Sequence, residues 1–115
     1  MKTLVMGLGL LIFALSISGC KKCKNEAPRA RIVNNGTTVA TVQIKTSDGN
    51  TVNINGVDPG TASAYASYGA GEITFTITVN KIAYVKVVPM GNCYEYDIAI
   101  DANNNISTSA RDRNS

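Results

Sequence analysis

The sequence predicts an all-β domain: an antiparallel two-sheet sandwich of roughly seven to eight strands, immunoglobulin-like or prealbumin-like. Three observations lead there. Past Ala27, apolar and polar residues alternate with period two in run after run. Glycine, proline, asparagine and aspartate punctuate those runs. After the first twenty residues, no long stretch carries the 3.6-residue period of a helix. Successive strand side chains point to opposite faces, so alternation marks a strand with one packed and one wet face.

The elements follow in order. Ala30-Arg31-Ile32-Val33, near Arg29, reads as a first strand. Asn35-Gly36 is a hairpin candidate beside it. Ala40, Val42 and Ile44 then alternate with Thr41, Gln43 and Lys45. Asp48-Gly49, where both positions tolerate positive φ, predicts a hairpin into Val52 and Ile54. Asp58-Pro59-Gly60 breaks the chain before the small-residue segment 61–71, read as a loop. The clearest strand is Glu72 to Val79, with Ile73, Phe75, Ile77 and Val79 on one face and three threonines on the other. Asn80-Lys81 is a tight-turn candidate. In the next strand Ala83, Val85 and Val87 are expected to face the core, and Tyr84 and Lys86 solvent. Pro89-Met90-Gly91-Asn92 ends it. Tyr94, Tyr96, Ile98 and Ile100 are expected inward, Glu95 and Asp97 outward. Asn103-Asn104-Asn105 turns the chain into a short last strand, Ile106 to Ser109. Valine, isoleucine and threonine dominate, which suits a half-buried pleated surface.

The chain begins differently. Lys2 is followed by a nearly unbroken apolar run from Leu4 to Ile17, then Ser18, Gly19 and Cys20. A charged start, an apolar middle and small residues at the end are the parts of a secretory signal. The run is short for a membrane span, which needs roughly 20 apolar residues. Ile17-Ser18-Gly19-Cys20 resembles the lipobox of bacterial lipoproteins. The resemblance implies cleavage before Cys20, diacylglycerol on its thiol and acylation, with palmitate for example, of the freed amine. An uncleaved anchor helix and a soluble secreted protein are the competing readings. One myristoyl chain holds a protein only marginally, whereas two or three chains hold it stably. Lys21 follows Cys20 where an aspartate would imply inner-membrane retention, so the resemblance implies a cell-envelope location, preferably the outer membrane. Lys21, Lys22 and Lys24 can meet lipid headgroups or form a solvated linker, the simpler reading. The expected organisation is a signal peptide over 1–19, a lipidated anchor and linker over 20–27, a β-sandwich over 28–110 and a flexible tail over 111–115.

Three cysteines are an odd number for an exported protein. With Cys20 lipidated, Cys23 and Cys93 remain, either as a disulfide or as two free thiols. From Ala27 to Ala110, basic Arg29, Arg31, Lys45, Lys81 and Lys86 nearly balance acidic Asp48, Asp58, Glu72, Glu95, Asp97 and Asp101. A near-neutral domain argues against a nucleic-acid partner.

The chain has no histidine. That excludes a Ser-His-Asp triad, a Cys-His pair and histidine-bound metals. Glu95 and Asp97 lie two apart on one strand and so share a face, the arrangement a carboxylate glycosidase would need. On a wet face the same pair simply keeps a sheet soluble. Asp101, Asn103, Asn105 and Asp112 fall at the first, third, fifth and twelfth places of a calcium loop. Ile106 stands where that loop wants glycine, and a polar turn explains the same residues without an ion. Tyr65, Tyr68 and Tyr84 are the tyrosines expected nearest solvent. They are either a binding platform for a protein or glycan or separate caps on a thin core. No glycine-rich phosphate loop is present, and no cofactor is expected.

Val57 to Val79 is similar in its turn-and-strand style to β-sandwich lipoproteins of Gram-negative envelopes, a likeness that implies no activity. The function expected is a membrane-anchored, non-catalytic binding or structural module, its partner lipid engaged through acylated Cys20. An inhibitor or immunity-like protein presenting the 61–71 loop is the alternative, and a carboxylate glycosidase a remote one.

Overall fold

The computed structural model describes residues 23–114; the expected signal peptide and Cys20 lie outside them. The chain forms β1 (Arg29–Asn35), β2 (Ala40–Lys45), β3 (Thr51–Val57), β4 (Thr61–Ala62), β5 (Ala66–Ser67), β6 (Gly71–Val79), β7 (Ile82–Met90), β8 (Tyr94–Asp101) and β9 (Ile106–Asp112). They make two sheets packed as a sandwich. The first has the order β9-β8-β1-β4, with β5 also on β1, and the second β3-β2-β6-β7.

The alternation read from the sequence builds the core. Ala30, Ile32, Tyr96, Ile98 and Ile100 of the first sheet meet Val42, Ile44, Ile73, Phe75 and Ile77 of the second. Phe75 is the largest fully buried side chain. Fully burying such a side chain is worth about 1.5–3 kcal/mol.

Turn chemistry explains the connections. Asn80 and Lys81 have φ of 51° and 68°, the paired positive values of a two-residue turn that matches strand twist. The β2–β3 connection differs from expectation. Gly49 has a positive φ but Asp48 does not, and Gly49 N–H donates to Thr46 O at 3.0 Å. This is a longer loop with glycine in the left-handed position. Pro59 and Gly60 are the central pair of a turn closed by Thr61 N–H to Asp58 O at 3.1 Å, with Gly60 at φ 78°.

Asn35-Gly36 is no hairpin. β1 and β2 belong to different sheets, and residues 36–39 cross between them. Asn34 stabilises the crossing. It is 1% exposed, its amide donates to Thr38 O and Val57 O at 2.8 Å each, and its Oδ1 accepts from Gly36 N–H at 2.9 Å.

The mostly antiparallel sandwich is as expected, and four details differ. The pairing is not wholly antiparallel, because β1 and β8 run parallel, Arg29 opposite Glu95 and Arg31 opposite Asp97. The phase of β7 is inverted: Tyr84, Val88 and Met90 pack on the core while Val85 and Val87 are 61% and 47% exposed. Tyr94 has inward parity but is exposed at the start of β8. The last strand also reaches Asp112, so Arg111 is part of the sheet rather than a tail.

Segment 61–71 is not a projecting loop. Ala62 pairs with Val33 and Ala66 with Ala30. Three residues on one side therefore oppose two on the other, the count of a β-bulge. Inside the bulge, Ser63 N–H donates to Ile32 O at 2.8 Å and Ser63 Oγ accepts from Ile32 N–H at 2.9 Å. The bulge turns Tyr65 onto the outer face, and it shields the sheet edge.

Candidate functional site

Three places gather chemistry-bearing side chains. The first is the outer face of sheet one. Parallel register sets Arg29 beside Glu95 and Arg31 beside Asp97, and antiparallel register sets Arg111 on the far side of Glu95. Arg29 Nε donates to Glu95 Oε2 at 2.6 Å. Arg111 Nη2 donates to Glu95 Oε1 at 2.6 Å. Arg31 donates to both oxygens of Asp97 at 2.9 and 3.2 Å. Tyr65 lies across this lattice. Its hydroxyl donates to Asp97 Oδ1 at 2.9 Å and accepts from Arg111 Nη2. Its ring centroid is 5.2 Å from the Arg29 guanidinium carbon and 4.9 Å from that of Arg31, within cation–π range.

The electrostatics follow from the partners. Hydrogen bonds from Arg111 and Arg29 hold the Glu95 carboxyl below its ordinary range, against a burial effect of opposite sign. Arg31 and Tyr65 do the same for Asp97. Both carboxylates stay ionised near neutral pH. A glycosidase general acid needs the reverse, a carboxyl kept protonated.

The second place is the sandwich end near Cys23. Cys23 and Cys93 form a disulfide with Cα atoms 5.7 Å apart across a sequence separation of 70 residues. Cys93 N–H donates to Glu26 O at 2.9 Å, and its carbonyl accepts from Arg113 N–H at 2.9 Å. Arg113 pairs with Glu26 at 2.8 Å, and Asn114 Oδ1 accepts from Cys23 N–H at 2.6 Å. The leading arm and the trailing residues are thus sutured to the β7–β8 connection and to each other.

The third place is a cleft of about 310 Å³ between the 46–50 loop and residues 66–69. Thr46, Asp48, Asn50, Val52, Ser67 and Tyr68 line it. Ser47 Oγ donates to Ala70 O at 2.8 Å and fixes the two walls together. Gly71 makes that approach feasible: at φ 126°, any Cβ there would sit 2.8 Å from Ser47 Cβ. Asp48 accepts from the Thr46 hydroxyl and from Asn50, which lowers its pKa.

The three tyrosines singled out by sequence do not come together. Tyr65 is half-buried in the ion-pair lattice, Tyr68 is buried at 7% exposure, and Tyr84 is half-buried on the core side of β7. There is no shared platform. The calcium-loop residues do not converge either. Asp101 ends β8, whereas Asp112 lies opposite Tyr94 at the other end of the same ladder, about 20 Å away by strand rise. Asp101 Oδ1 instead accepts from Asn103 and Asn105 N–H at 2.9 Å each, closing an aspartate-led turn. Among the described residues no group of three or more acidic or cysteine side chains is placed to hold a metal.

Sequence reasoning missed the arginine partners and the cleft. Arg29 and Arg31 share the two-residue spacing of Glu95 and Asp97, a visible signal, but nothing local states that strands 66 residues apart lie side by side. Thr46, Asp48 and Asn50 read only as turn residues.

No protein-family model matches this chain, and no curated protein matches it. A solved structure described as "NMR structure of the protein from Eubacterium rectale" is similar at a TM-score of 0.44 and 15% identity, covering 79% of this chain and 93% of that one.

Proposed function

We propose that this chain is an exported, lipid-anchored envelope protein whose β-sandwich is a non-catalytic binding or structural module. The observation that carries the reading is the disulfide suture beginning at Cys23. A disulfide persists in an oxidising compartment outside the cytoplasm, which agrees with a secretory start. Cys23 follows the lipobox cysteine by only three residues, a span of roughly 10 Å at full extension. An acylated Cys20 would hold the sutured end of the sandwich against the lipid surface, not on a long leash. Lys21 and Lys22 fall within this short span and Lys24 directly follows it, which would set all three beside the headgroups.

The non-catalytic part rests on the state of the carboxylates. Glu95 and Asp97 are both neutralised by arginines on an open sheet face, and no histidine is available. An inhibitor reading draws less support, because segment 61–67 lies along β1 instead of projecting.

Membrane partition tests the anchor. In a Gram-negative host, the full chain is expected in the membrane fraction, resistant to high salt and released by detergent. Cys20→Ala is expected to lose the acyl mass and remain unprocessed. Wild-type protein recovered wholly in the soluble fraction would contradict the proposal.

A further inference from the structure

We propose that the cleft between the 46–50 loop and residues 66–69 binds one uncharged sugar ring. The inference deepens the binding-module reading above and does not depend on the anchor.

Tyr68 points to a ligand. It is 7% exposed and lines the cleft, and its hydroxyl has no hydrogen-bond partner among the described residues. The contrast with its neighbours is sharp: Tyr65 bonds Asp97, and the Tyr96 hydroxyl accepts from Gly91 N–H at 2.9 Å. A buried hydroxyl left unpaired is costly, and a guest seated in the cleft that Tyr68 lines would pair it. Burial also raises the Tyr68 pKa, which keeps the phenol a donor.

The remaining lining selects the guest. Asp48, already bonded by Thr46 and Asn50, keeps further lone pairs as an ionised acceptor, the Asn50 amide keeps its oxygen and second N–H, and Ser67 adds a hydroxyl. Such a mixed set suits a ring whose hydroxyls each donate and accept. Val52 and Ala66 supply apolar contact for its C–H bonds. Among the described residues no arginine or lysine lines the cleft, and Asp48 would repel a phosphate or uronate. An ammonium guest carries donors and no acceptor, so it would leave the Tyr68 O–H without an acceptor. The volume sits at the small end of ligand pockets, enough for one ring and not for a chain. The walls are preorganised by the Ser47–Ala70 bond and by Tyr68 N–H donating to Pro28 O at 2.9 Å, which reduces the ordering cost of binding.

The test uses the full chain, purified in a sugar-free zwitterionic detergent and followed by amide chemical shifts. Glucose, galactose, mannose and N-acetylglucosamine are titrated separately, with methylammonium chloride as the competing chemistry. The expected result is saturable shifts at residues 46–50 and 66–69 with at least one sugar. Asn50→Ala and Tyr68→Phe should each weaken that sugar about tenfold, a loss of one good hydrogen bond, while both variants keep the wild-type amide pattern elsewhere. No saturation with any sugar, saturation by methylammonium alone, or shifts that both variants leave intact would overturn the assignment. The titration is carried out in micelles, so an unacylated Cys20 would defeat the anchor reading without touching this result, and a failed titration would leave the anchor reading standing.

Discussion

Asn34 and Val57 are joined across the sandwich by a buried hydrogen bond, 2.8 Å from the Asn34 amide to the Val57 carbonyl oxygen. The bond ties the end of β1 to the end of β3 in the opposite sheet. With the further bonds to Thr38 O and from Gly36 N–H, one side chain satisfies three backbone groups. Asn34→Leu removes all three partners and leaves buried carbonyls unpaired, at about 1–3 kcal/mol for each such group. Urea unfolding should show the midpoint falling with an unchanged slope.

The disulfide closes a long loop. The chain-entropy model gives about 4 kcal/mol for a loop of this length. Cys93→Ser should lower unfolding free energy by that order. Reductant should lower the wild type equally and leave the variant unaffected.

Acid should unmake the ion-pair lattice. Glu95 and Asp97 have folded pKa values below their unfolded ones, as does Asp48. The unfolded chain therefore binds more protons as pH falls, and stability rises with pH through that window. The contribution is complete above the unfolded carboxylate range, about pH 4, and drains away as pH falls through the folded pKa values. The double variant Glu95→Gln, Asp97→Asn should be less stable at neutral pH and show a flatter acid limb. Melting temperature against pH measures both.

The orientation of β7 is testable by paired substitutions. Tyr84 packs on the core, whereas Val85 is exposed. Tyr84→Ala should cost about 2 kcal/mol, less than a fully buried aromatic. Val85→Thr should stay within about 0.5 kcal/mol of wild type, as exposed substitutions do.

The fold class was legible because most strands keep a clean two-residue period over a buried face. β6 is the plainest case, with four apolar residues inward and three threonines outward. β7 was not legible: it is an edge strand with apolar residues at both parities, so composition alone does not say which side is packed. The parallel partnership of β1 and β8 was hidden for another reason. Local turns announce hairpins, but a pairing between distant strands leaves no mark in either one. The Arg-x-Arg and Glu-x-Asp spacings of those strands match, yet many exposed strands carry such pairs without meeting. Tyr68 shows the same limit. Its segment, rich in alanine, serine and glycine, reads as loop, and only the packing of 66–69 against the 46–50 loop buries the ring. At Asp101 the residues of a turn also fitted most of a cation loop, and the direction of β9 decides against the ion.

The most direct measurement of the central claim is the intact mass of the mature protein taken from membranes, with thiols blocked before extraction. The expected product is a chain starting at Cys20, carrying acyl groups there, with Cys23 and Cys93 unavailable to the blocking reagent. A chain that retains residues 1–19, or one with an unmodified Cys20, would contradict it.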